Sequence, residues 1–143
     1  MNQSFRDMLQ QLVNLSQEEK ITCGVKAYQT LLPALRRYDK DTEGLVLTIA
    51  IMGTAAASDG KLVAQEMAFI MALAKARGVE LTVEQAADMV KSSADKDGFE
   101  MIRNLAGALD GEERSALIVF VATICALDDS ITAKEIDYLE SLL

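Results

Sequence analysis

Two stretches of this chain, Leu45 to Ala57 and Leu117 to Leu127, are apolar almost without interruption, broken only by Thr or Gly. Each is shorter than the ~18 residues a membrane-spanning helix needs. A helix that is apolar on every side must then be covered on every side by protein. The pair, near 44–57 and 112–127, is therefore expected side by side at the centre of a helical protein, with the other helices wrapped around it. Alanines at Ala55, Ala56, Ala57 and Ala122 allow close backbone approach there. At 143 residues, half of them apolar and a quarter charged, the composition is that of one globular domain covering 1–143.

The rest of the chain reads as helix. Strand signals are nearly absent, with one Pro, few aromatics and no alternating β-branched run. Phe5, Met8, Leu9 and Leu12 follow amphipathic helical spacing, as do Met67, Ile70, Met71 and Ala74. Ser16 and Glu19 form a capping-box pattern that starts a helix running to about Tyr38, with Pro33 inside it. Thr82 and Gln85 form another such pattern. Gly78 suits a helix stop, and Asp110-Gly111 is read as the stop of a helix carrying Ile102, Leu105, Ala106 and Leu109. Asp39 to Gly44 reads as the acidic start of the first central helix. The expectation is an all-α fold of about eight helices.

An internal duplication organises these elements. A shift of 69 positions superposes Asp41 on Asp110, Thr54 on Thr123, Asp59 on Asp128, Ala64 on Ala133 and Glu66 on Glu135. The matched polar identities carry more weight than apolar matches, which helical periodicity inflates. The repeats are taken as about 28–73 and 97–142, related by a pseudo-twofold axis.

Several functions are excluded or made unfavourable by composition. The chain has no His and no Trp, which removes Ser-His-Asp and Cys-His catalysis and any imidazole metal site. Its net charge of −8 argues against nucleic acid, whose binding depends on phosphate neutralisation. Cys23 and Cys125 form no CxxC and no zinc set, and Cys125 reads as a core thiol. No secretory signal pattern opens the chain, so a cytoplasmic location is expected. No phosphate loop or activated nucleophile is present, and the chain is read as a non-enzyme.

The acidic loops are the candidate site. Residues 55–66 read AAASDGKLVAQE and 124–135 read ICALDDSITAKE, both fitting Asp-x-x-[Leu/Ile]-x-x-x-Glu. Two readings stand side by side. In the first, these acids shape helix ends: Thr132 and Glu135 make a capping box, while Leu62 and Ile131 pin the loops to the core. In the second, Asp59, Glu66, Asp128, Asp129 and Glu135 hold a divalent cation, Ca²⁺ or Mg²⁺ rather than Zn²⁺, because the donors are hard oxygens. An ordinary EF-hand is excluded, since its first and third ligand positions would be Ala55 and Ala57, or Ile124 and Ala126.

Ala57-Ser58-Asp59-Gly60 after an apolar helix, with Glu66 following and a second copy about seventy residues on, resembles the tellurite-resistance TerB family. The resemblance covers about 41–143. It implies a compact all-α domain of two related halves whose acidic loops form a metal-binding or interaction surface, with Asp59, Glu66, Asp128 and Glu135 as the acidic set. This chain departs in its second loop, where Leu127-Asp128-Asp129-Ser130 lacks the glycine and adds Asp129. The function implied is a stress-response binding or adaptor role with a protein partner. The alternative is a metal-free protein–protein interaction module whose acidic loop residues are caps.

Overall fold

The computed structural model describes residues 2–41, 44–56, 64–76, 78, 82, 84–85, 88, 97–127 and 131–142. Among them are seven helices and no strand: α1 (Asn2–Asn14), α2 (Gln17–Tyr38), α3 (Leu45–Ala56), α4 (Ala64–Ala76), α5 (Asp97–Ala108), α6 (Gly111–Ala126) and α7 (Ala133–Ser141). The helical class is as expected. At Thr82, the reciprocal bonds of the anticipated cap are present, with Gln85 N–H donating to Thr82 Oγ1 and Thr82 N–H to Gln85 Oε1. Residues 84, 85 and 88 are helical. No described helix is long and apolar enough to cross a membrane.

The core is built around α6. Every residue from Ala116 to Leu127 is buried except Val119, which is half-buried. The sequence pairs α6 with α3, and the two helices do touch. The most extensive packing on α6, however, comes from α2. The reason lies in α2's small residues. A Cβ built on Gly24 would lie 2.3 Å from Phe69 Cε2 and 3.0 Å from Thr123 Cγ2, so α2 meets α4 and α6 at a distance only glycine allows. Nearby, the Phe120 ring lies 5.5 Å from that of Tyr28 and 5.9 Å from that of Phe69, both tilted, a favourable aromatic arrangement. The Tyr28 hydroxyl is 2.8 Å from Thr48 Oγ1, which itself donates to the Gly44 carbonyl. Tyr28 is therefore the donor of that pair.

Polar joints lock the ends. Arg37 donates through both terminal nitrogens to Glu113 at 2.9 Å, tying the end of α2 to the start of α6. Arg114 donates to the carbonyls of Ala106 and Leu109, capping α5. Helix α1 buries Leu9 and Leu12 against the core, and Arg6 reaches Glu140 of α7 at 2.8 Å. Of Phe5, Met8, Leu9 and Leu12 only Met8 is exposed, at 38 %.

Two local expectations are corrected. Asp110-Gly111 is not the stop of α5. Asp110 is the N-cap of α6, accepting from Glu113 N–H, and Gly111 is its first residue. Asp39 belongs to the end of α2 as its C-cap, and Gly44, at φ +84°, precedes α3. Gly78, at φ +75°, adopts the left-handed conformation expected of it.

Helix α7 begins 69 positions after α4 begins, the same shift that superposes the two acidic motifs in the sequence.

Candidate functional site

One acidic corner lies between α6 and α7. Helix α6 ends at Ala126 with Leu127 as its C-cap, whose N–H donates to the Ile124 carbonyl. Ile131 is half-buried against the core, as the pinning role requires. Thr132 is the N-cap of α7. Its hydroxyl accepts from Glu135 N–H at 3.1 Å, and Thr132 N–H donates to Glu135 Oε1 at 2.9 Å. This capping box satisfies two backbone donors that a helix start otherwise leaves open.

The C-terminal end of α6 is met by the first turn of α2. Lys20 is fully buried, and its Nζ donates to the Ala126 carbonyl at 2.9 Å. Gln17 Nε2 donates to the next carbonyl, Leu127, at 3.0 Å. Carbonyls at a helix end lack intrahelical partners and carry the negative end of the macrodipole. A lysine there neutralises that end and hydrogen-bonds it at once. Burial of an ammonium group is expensive, and its position against a helix terminus offsets part of that cost.

The corner between α3 and α4 differs where it can be described. Helix α4 begins at Ala64, and in the sequence the residue before it is Val63, where Thr132 precedes Ala133. Thr54, in the last turns of α3, is 2 % exposed, and among the described residues its hydroxyl has no hydrogen-bond partner. Thr123, its counterpart 69 positions on, donates to the Val119 carbonyl at 2.7 Å.

Of the five anticipated metal ligands, Asp59, Asp128 and Asp129 lie outside the described residues. Glu66 lies in the first turn of α4, with its side chain likewise outside them. Glu135 is described, and one of its carboxylate oxygens is engaged by Thr132. Leu62 also falls outside the described residues. Among the described residues no group of three or more His, Cys, Asp or Glu side chains could hold a metal ion.

Electrostatics elsewhere are those of structural contacts. Glu113 is held below its ordinary pKa, first by its hydrogen bonds from Arg37. Glu19 is lowered by the Ser16 backbone N–H that it accepts in the α2 capping box. Burial pushes the Tyr138 hydroxyl up to about 12, with the Arg103 guanidinium stacked 5.6 Å from its ring opposing the shift. Cys125 is buried and Cys23 half-buried, both free thiols.

The residue that sequence reading missed is Lys20. Its signal is positional: Lys20, Gly24, Ala27, Tyr28 and Leu31 form one helical stripe, so a lysine sits where the pattern calls for an apolar or small residue. No protein-family model matches this chain, and no curated protein or solved structure gives a significant match.

Proposed function

We propose that this chain is a non-catalytic binding domain, a metal-free protein–protein interaction module whose acidic loop residues serve as helix caps. The observation that carries the reading is Glu135, whose Oε1 accepts the Thr132 N–H at 2.9 Å. A carboxylate committed to its own helix start has a structural reason to be there without any ligand. The chain's charge of −8 then makes a partner with a basic face the complementary one. A stress-response adaptor role of the tellurite-resistance type follows from the resemblance of Ala57 to Gly60 and its spacing alone.

A second reading, a divalent cation organising the acidic surface, is favoured at the first loop by one difference. Val63 offers Glu66 no hydroxyl, so the reciprocal cap available to Glu135 is unavailable there. Both readings are tested by recovering the tagged full chain with its partner from the native host, with and without EDTA. The interaction-module reading expects the same partner in both samples, released by raised salt. Release by EDTA with recovery on adding Ca²⁺ or Mg²⁺ would establish the cation reading, and recovery of no partner would contradict a binding role.

We infer further that the two halves arose by duplication. The 69-residue spacing of the starts of α4 and α7 supports it.

A further inference from the structure

Helix α1 sits on α6 and α7 through one narrow face. Leu9 and Leu12 are buried, with Phe5 and Val13 half-buried beside them. Helix α6, by contrast, buries ten residues. Arg6 flanks the apolar face of α1, with its Nε 2.8 Å from Glu140 Oε1 and its Nη2 3.6 Å from Asp137 Oδ1, both on α7. Only Leu15 and Ser16 join α1 to α2. The start of α2 is anchored without α1: Ser16 and Glu19 close its capping box, and Gln17 and Lys20 donate to the carbonyls of Leu127 and Ala126. A helix with so small a buried face, ending at a fixed anchor, opens locally at lower free energy than the core beneath it. Its departure uncovers an apolar seat on α6 and α7, rimmed by Asp137 and by Glu140, whose side chain is largely buried.

We infer that α1 is a displaceable occupant of this seat, and that the partner enters by the same geometry. The partner element is an amphipathic helix with an Arg or Lys followed at three and six positions by leucine, as Arg6, Leu9 and Leu12 stand in α1. Apolar anchors at helical spacing are how a helix docks in a groove. Its positive charge complements Glu140 and Asp137 and fits the basic partner that the net charge of −8 calls for. Helix α1 competes with that partner and lowers its apparent affinity, because only the open fraction binds. The inference rests on the interaction-module reading for the existence of a partner, but the seat is tested without one.

The first test is native-state hydrogen exchange on the full chain. The amides of Met8 to Val13 are expected to exchange at least tenfold faster than those of Leu117 to Ile124. Equal rates would mean that α1 opens only with the whole fold, and would overturn the inference. The second test uses a fluorescently labelled synthetic peptide of residues 2–15 as the probe. Full-length Leu9→Ala is expected to bind it at least tenfold more tightly than the wild type does. Full-length Arg6→Glu, which leaves the buried leucines in place, is expected to change binding in the same direction by at least threefold. Equal peptide binding by the wild type and the folded variants overturns the inference, as does undiminished binding of a peptide that itself carries Arg6→Glu. A concentration-dependent doubling of mass without peptide uptake would assign the seat to a second copy and overturn the proposed partner. Failure of the two readings is separable: the absence of any partner recovered from the host contradicts the binding role, whereas unchanged peptide uptake overturns the seat.

Discussion

The two acidic corners share a sequence pattern and differ in how their helix ends are held. At the α6–α7 corner, Thr132 and Glu135 close a reciprocal cap, and Lys20 and Gln17 hold the last carbonyls of α6. At the α3–α4 corner, the sequence has Val63 where the other motif has Thr132, and the buried Thr54 hydroxyl lacks a described partner. Thr123, in the same register, donates to Val119. The contrast teaches that residues in the same sequence register, Thr54 and Thr123, can differ in whether their buried hydroxyls make a hydrogen bond among the described residues.

The comparison presumes that both corners hang on one central helix, which the largest expected effect would break. Phe120 is fully buried between Tyr28 and Phe69. Phe120→Ala should cost about 3–5 kcal/mol in denaturant unfolding, the usual range for a core aromatic. A loss below about 1 kcal/mol would mean that α6 is not the organising element. Gly24→Ala should cost about 1–3 kcal/mol, because the new methyl meets the fully buried Phe69 ring, which has no solvent to move into.

The caps themselves come next. Thr132→Ala should destabilise by about 1 kcal/mol. Val63→Thr in the other corner asks whether the missing cap can be restored, with an expected gain of up to about 1 kcal/mol. If both substitutions leave thermal stability unchanged, the contrast between the corners has no energetic content. The threonine pair gives a finer test. Thr123→Val removes a made hydrogen bond and should destabilise by about 0.5–1.5 kcal/mol, whereas Thr54→Val should be neutral or stabilising. The reverse order would show that Thr54 has a partner of its own.

The smallest expected effect is a pH dependence. Glu113 titrates below its ordinary value of 4.5 in the folded chain because Arg37 hydrogen-bonds its charged form. Its contribution is therefore complete above about pH 4.5 and is lost as pH falls through the lowered folded value. Arg37→Gln should destabilise slightly at pH 7 and not at all near pH 2. Arg37 is half exposed, so solvent screening keeps the neutral-pH effect small.

What was legible in the sequence was local. The caps at Ser16, Thr82 and Thr132 depend on residues three apart, and all three form as read. The cap at Asp110 is not evident from Asp110-Gly111, because that pair also suits a turn, although Glu113 stands three residues on. The buried character of α6 was legible because its residues are apolar all round. The dominance of α2 as its partner was not, because it depends on Gly24 facing Phe69 and Thr123 from distant parts of the chain. Lys20 was hidden for a related reason: its polarity suggests a surface position, and its partner, the Ala126 carbonyl, is 106 residues away.

The most direct test of the central claim, that the α6–α7 corner is held by the protein's own groups, is made on the unaltered protein. Chelator-treated, isotope-labelled chain would be titrated with Ca²⁺ and Mg²⁺ while the amides of Ile131, Thr132 and Glu135 are followed. The account predicts that these signals stay in place at millimolar cation. Saturable movement of the three together would contradict it and return Glu135 to a metal ligand set.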